Sequence, residues 1–362
     1  MINVTKTYLP SLKKYQKYLN KIWASGQLTN NGPFVKKLEN ELKKYLGVKY
    51  LFLVQNSTLA LQIAIEALDL KKEIITTPFS YIATSSSIKW QGATPVYADI
   101  DKNTLDIDPK EIKKAITGKT EAIVATHIFG NPCDIDAIGK IAKKHKLKVI
   151  YDAAHTFGVK YKGKSILNYG DISTISFHAT KIFHTIEGGA LVTNNKALAK
   201  KISYMRNFGH NGYEKFFGLG INAKMSEFHA IMGLCNLPKI KNIIKARKNI
   251  WKTYDEILKP EKELLSGQEI KNYKNHNYSY YPIIFNSEKQ LLITKNTLAK
   301  YKIYPRRYFY PALSTLNFLN KKTMPNAENI AKKILCLPLH YGLTTKEVTT
   351  ISKIIVKSLH QN

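Results

Sequence analysis

The chain has 362 residues, enough for two domains of roughly 100–200 residues each and a sizeable buried core. With 44% apolar residues, no run near the ~18 uncharged apolar residues of a membrane span, and an opening "MINVTKTYLPSLKKYQKYLNK" that lacks the apolar stretch of a signal peptide, it reads as cytoplasmic with no membrane partner. A formal charge of +30 invites a nucleic-acid reading, but the lysines are scattered singly or in pairs, without a basic tail, zinc knuckle or RNA-binding aromatic motif. A solvated basic surface that draws in small polyanions is the expectation, and the widely separated Cys133, Cys235 and Cys336 predict no metal site.

From about residue 35 to about residue 205, helical patterns alternate with short apolar strands. In chain order these are "VKKLENELKKYLG", "LFLVQ", "TLALQIAIEAL", "EIITTP", "TPVYADI", "PKEIKKAI", "EAIVATHIFG", "IDAIGKIAKKHK", "KVIYDAAH", "ISTISFHA" and "GALVTNN". Strands separated by helices of this length require right-handed crossovers, so an α/β fold with a mainly parallel sheet covered on both faces is expected. Ligands bind such sheets at the carboxyl ends of the strands. A long helical stretch, "MSEFHAIMGLCNLPKIKNIIKARKNIWKTYDEIL", then leads toward a smaller α+β unit, which divides the chain into a large domain, 1–244, and a small one, 245–362.

Polar groups recur where strands should end. One strand ends at Gln55 and opens a helix with Asn56, Ser57 and Thr58, either a plain N-cap or a phosphate site made of free backbone N–H groups and hydroxyls. "YDAAH" puts Asp152 after a strand, with His155 three residues on. Lys181 follows the apolar "ISTISF" and precedes the "EGGA" turn. Desolvation there would lower its pKa and make the amine nucleophilic near neutral pH, as Schiff-base chemistry requires, although a solvated loop lysine is the plain alternative.

The ordered set of the helix-opening site, "TTPFSYIAT", "YDAAH", Ser176 in "SFHATK", Lys181 and "EGGA" resembles the sugar-nucleotide aminotransferases of the DegT/StrS type, pyridoxal-phosphate enzymes of fold type I with a seven-stranded sheet. The resemblance runs from "LTNNGPFVKKLENEL" through "INAKMSEFHAIMGL" to "RRYFYPAL" and "LPLHYGLT". It implies that Lys181 joins the cofactor as a Schiff base and later shuttles a proton, and that Asp152 pairs with the pyridine nitrogen. Tyr81 would cover the ring face, Ser57, Thr58 and Ser176 would hold the phosphate, and His155 would lie near the phenolic oxygen. Asn222 in "GINAKMSE" would reach the neighbouring subunit's cofactor phosphate, which implies a homodimer with composite sites. Relatives often carry arginine where this chain has Lys224.

The implied reaction moves an amino group from L-glutamate to carbon 4 of a nucleotide-linked 4-keto-6-deoxy sugar, most like the enzymes that make dTDP-4-amino-4,6-dideoxyglucose for O-antigen or other surface polysaccharides. The "EGGA" turn favours carbon 4 over carbon 3, and a GDP or UDP carrier is the alternative. Asn30, His184 and Tyr310 are the implied sugar contacts. Lys181 itself argues against the related dehydratases, which carry histidine there; a regulator on the same fold or a nucleic-acid-binding protein are the remaining alternatives.

Overall fold

The computed structural model describes residues 1–271 and 275–360. Its centre is a seven-stranded sheet built from β1 (Tyr50–Val54), β2 (Glu73–Thr76), β3 (Thr94–Tyr97), β4 (Thr120–Thr126), β5 (Lys148–Asp152), β6 (Ile172–Ser176) and β7 (Gly189–Thr193), in the spatial order β1-β7-β6-β5-β4-β2-β3. Only β7 runs antiparallel to its neighbours. The expected fold type I architecture is therefore present. All five residues of both β6 and β7 are buried, as a sheet covered on both faces requires.

The helices follow from spacing and end signals. Helix Pro33–Leu46 buries Val35, Leu38, Leu42 and Leu46, places Pro33 in its first turn and stops at Gly47, whose φ of 64° suits a residue without Cβ. Its first N–H groups are satisfied from far along the chain: the buried Glu227 carboxylate accepts from Phe34 N and Val35 N, both at 2.8 Å. Helix Ser57–Ala67 is apolar nearly all round and lies buried against the sheet.

The long stretch expected after Met225 is broken. Pro238 lacks the N–H that would continue the ladder, so helix Glu227–Asn236 gives way to a short 3-10 turn before helix Ile240–Leu258. That second helix packs Ile240 and Ile243 into the core of the large sheet, and Ile250, Trp251, Tyr254 and Leu258 into a separate core around an antiparallel sheet of Leu265–Gly267, Tyr281–Phe285 and Ile334–Leu337. The first residues, Ile2–Asn3, pair in parallel with Ile303–Tyr304 and so sit beside the C-terminal unit. Among the described residues no helix is long and apolar enough to cross a membrane, and no group of histidine, cysteine or acidic side chains could hold a metal ion.

Candidate active site

Three neighbouring strands bring the chemistry together. β5 ends at Asp152, the parallel β6 ends at Ser176, and β7 begins at Gly189 opposite Ser176. One cavity at this edge is lined by Ser57, Thr58, Tyr81, Asp152, His155, Ser176 and Lys181. Asn30, His184, Asn222 and Tyr310 do not line it.

Asp152 is 6% exposed. Thr84 Oγ1 donates to its Oδ2 at 2.7 Å and Ala154 N to its Oδ1 at 3.2 Å. Burial raises its pKa, opposed by those donors and by Lys181. Lys181 sits on the loop between β6 and β7, its N–H donating to His178 O at 2.9 Å. Enclosure pushes its ammonium down to about 8, and the Asp152 carboxylate acts against that shift. A lysine at that value has a usable fraction of free amine near neutral pH.

His155 is buried and neutral, its pKa pushed well below the usual value first by burial and then by Lys181. Phe129 N donates to its Nδ1 at 3.2 Å, so the hydrogen sits on Nε2. The ring is held between aromatic neighbours, parallel to Phe309 at 6.1 Å and tilted against Tyr280 at 4.9 Å.

The same cavity is lined by the Asn56–Thr58 turn, where the helix cap can be read directly. Asn56 is the N-cap, its side chain accepting from Leu59 N at 2.9 Å. Ser57 and Thr58 are thus released from capping, and neither hydroxyl has a partner among the described residues. Gly189 lets β7 pass this turn: a Cβ there would lie 2.7 Å from Asn56 C and Ser57 N. Ser176 Oγ, buried, accepts from His178 N at 3.4 Å.

The remaining expected contacts have other surroundings within this chain. His184 is 1% exposed, accepts from Ile186 N at Nδ1 (3.3 Å) and lies 2.6 Å from Tyr8 O through Nε2. That is a packed turn residue whose two ring nitrogens both have partners within this chain. Asn222 Oδ1 accepts from Lys224 Nζ at 2.7 Å on the surface outside the cavity. Asn30 is exposed at a φ of 62°, and Tyr310 is exposed with the Arg307 guanidinium 3.6 Å from its ring centre.

The fold also brings in residues that no local pattern marks, Thr84 against Asp152 and Tyr280 on the wall, together with Arg306, Tyr308 and Phe309 of the quoted "RRYFYPAL" segment. Within that segment the cavity is lined by Arg306, Tyr308 and Phe309 rather than by Tyr310. Arg306 stacks 4.4 Å over the Tyr308 ring and has no acidic partner among the described residues.

A buried carboxylate, a lysine of lowered pKa, a neutral imidazole and an uncapped-hydroxyl helix start suit pyridoxal phosphate: an acid for the pyridinium, an amine for the aldehyde, an N–H donor and an anion site. Fold and site together define a fold type I pyridoxal-phosphate aminotransferase. More particularly, the chain belongs to the DegT/DnrJ/EryC1/StrS aminotransferase family, whose sequence profile matches residues 11–356. It is 44% identical over 354 residues to the dTDP-4-amino-4,6-dideoxy-D-glucose transaminase of Shigella dysenteriae, covering 95% of each chain. Among solved structures, DesI in the presence of its TDP-sugar product matches with a TM-score of 0.93 and 28% identity, covering 99% of this chain and 93% of that one. NtdA from Bacillus subtilis with its cofactor PMP bound matches with a TM-score of 0.89 and 27% identity, covering 97% of this chain and 82% of that one. The protein is a pyridoxal-phosphate-dependent sugar-nucleotide aminotransferase.

Proposed function

We propose that this enzyme transfers the amino group of L-glutamate to carbon 4 of dTDP-4-keto-6-deoxyglucose, releasing 2-oxoglutarate, in the synthesis of O-antigen or another surface polysaccharide. The observation that carries this reading is the 44% identity, along 95% of both chains, with a transaminase of that product. We further propose that it works in the cytoplasm as a homodimer, with domains 1–244 and 245–362.

Pyridoxal phosphate, when bound, supplies an electron sink for the pair left when the α-proton departs. In this proposal Lys181 Nζ would hold the cofactor at its aldehyde carbon until the donor's amine displaces it, and the freed amine would then take the proton from the donor's α-carbon and later deliver one to the sugar carbon. Asp152 keeps the pyridine nitrogen protonated, a role its buried carboxylate can fill because Thr84 and Ala154 hold it in place. Ser57, Thr58 and Ser176 hold the phosphate, Tyr81 covers the ring and His155 offers Nε2–H to the phenolic oxygen. Asn222 serves the partner's phosphate, while Asn30 and Tyr310 face the sugar on loops completed by the second subunit.

The test is to incubate the enzyme with glutamate and a panel of dTDP-, UDP- and GDP-linked 4-keto-6-deoxy sugars plus a 3-keto dTDP sugar, and to identify products by mass and NMR. A 4-amino-4,6-dideoxy sugar on dTDP, formed with the highest kcat/KM, is expected. A higher kcat/KM for the 3-keto sugar overturns the choice of carbon, and one for a GDP or UDP sugar overturns the carrier.

A further inference from the structure

Two further polar side chains stand on the cavity wall. His178 and Glu187 both line the cavity that holds Lys181. They stand at the two ends of the Lys181 loop, which is closed at its base because Phe177 N donates to Gly188 O at 2.8 Å. This closure sets the two side chains opposite each other, with His178 Nε2 3.5 Å from Glu187 Oε1.

The chain fixes the hydrogen on His178. Thr180 N donates to Nδ1 at 3.2 Å, so Nε2 carries the hydrogen and points it at Glu187. Glu187 has no lysine or arginine partner among the described residues, although the chain carries 56 lysines and arginines against 26 acids. Its other titratable neighbour, His229, has its Nδ1 engaged with Ser226 Oγ at 2.7 Å.

The spacing and signs limit what can bind. At 3.5 Å the contact is longer than the about 2.7–2.9 Å of a closed charge-assisted bond, and with the two side chains 46% and 54% exposed toward the cavity mouth each keeps hydrogen-bonding capacity for a group that lies alongside the pair. That group must accept from His178 Nε2–H and donate to Glu187. A phosphate or a carboxylate cannot donate and is repelled by Glu187; a hydroxyl does both. The diphosphate of the nucleotide and the carboxylates of the amino donor are therefore poorer partners for this corner than a hydroxyl. The unpaired Arg306 is a cation available to them elsewhere on the wall.

We propose that His178 and Glu187 together form a hydroxyl-binding subsite that grips a ring hydroxyl of the sugar and so fixes which carbon faces Lys181. This inference rests on the sugar-nucleotide reading above and adds to it the contact that orients the ring. Neither residue exchanges a proton with the reacting carbon; both bind substrate.

The experiment follows each half-reaction by the absorbance of the bound cofactor, in wild type, Glu187→Gln and His178→Phe, using L-glutamate for one half and the aminated dTDP sugar for the other. Both variants should lose about 10- to 100-fold in kcat/KM for the sugar half, the scale of one hydrogen bond to a charged group, and should keep the glutamate half within about threefold. Deoxy sugars lacking one ring hydroxyl at a time supply the second arm. One of them should cost wild type the same factor and cost Glu187→Gln nothing more. Equal losses in both half-reactions, or a wild type indifferent to every single deoxygenation, would overturn the subsite. A wild type that aminates no dTDP sugar overturns the carrier proposed above instead, and the same comparison is then made with the sugar nucleotide it does accept.

Discussion

Asp152 opposes what burial does to Lys181: enclosure lowers the lysine to about 8, and the carboxylate pulls it upward. Capture of pyridoxal phosphate by the cofactor-free enzyme needs the free amine. Below about 8 each pH unit lost should therefore slow capture about tenfold, with a plateau above. Asp152→Asn removes the raising influence, so the midpoint should move to lower pH while turnover falls by at least ~10²–10⁴-fold. Stopped-flow absorbance across pH checks both, and a midpoint near the ordinary lysine value of 10.5 would contradict the picture.

Gly189→Ala tests the close approach of β7 to the Asn56–Ser57 turn, the proposed phosphate site. The new Cβ would meet backbone atoms at 2.7 Å, which cannot swing aside like a side-chain tip. A loss of about 1–3 kcal/mol in stability is expected, with weaker cofactor binding as the helix start is displaced. Denaturant melts and cofactor titration read the two effects; an unchanged cofactor affinity would separate Gly189 from the anion site.

His184→Ala should behave as a structural change. It removes the hydrogen bonds to Tyr8 O and from Ile186 N in a buried turn, at a cost of about 1–3 kcal/mol. Sugar KM should stay within about twofold in the folded enzyme. A selective rise in sugar KM without a fall in Tm would restore His184 as a sugar contact.

Asn222 permits a mixing test of composite sites. Lys181→Ala and Asn222→Ala enzymes are each expected to be inactive or weak alone. If Asn222 serves the partner's site, random reassortment into mixed dimers gives about a quarter of sites with both residues intact. Activity of the reassorted mixture should then exceed that of either parent severalfold. No gain after subunit exchange, confirmed by tagged subunits, would mean that Asn222 acts within its own chain or not at all.

How much of this could be read from the sequence depends on the range of the interaction. The strands of the central sheet were legible because each is a short apolar run between turn residues, from "LFLVQ" to "GALVTNN". Helix Ala83–Trp90 was not, because "ATSSSIKW" is rich in serine and carries no apolar stripe; its Thr84 matters only through Asp152, 68 positions away. Lys181, Asp152 and Ser176 were legible because each ends or follows a strand. Arg306, Tyr308 and Phe309 come from the far C-terminal part of the chain, and only folding sets them beside β5 and β6. His184 shows the converse: it is a near neighbour of Lys181 in sequence, but one turn of backbone sends its ring inward to Tyr8.

The most direct test of the central claim is to load the purified enzyme with pyridoxal phosphate, reduce it with borohydride and map the modified peptide by mass spectrometry. A visible band that reduction abolishes is expected, with one pyridoxyl group per chain carried on Lys181 in the peptide containing "SFHATK". A colourless enzyme that takes up no cofactor, or a label on any of the other lysines with Lys181 unmodified, would contradict it.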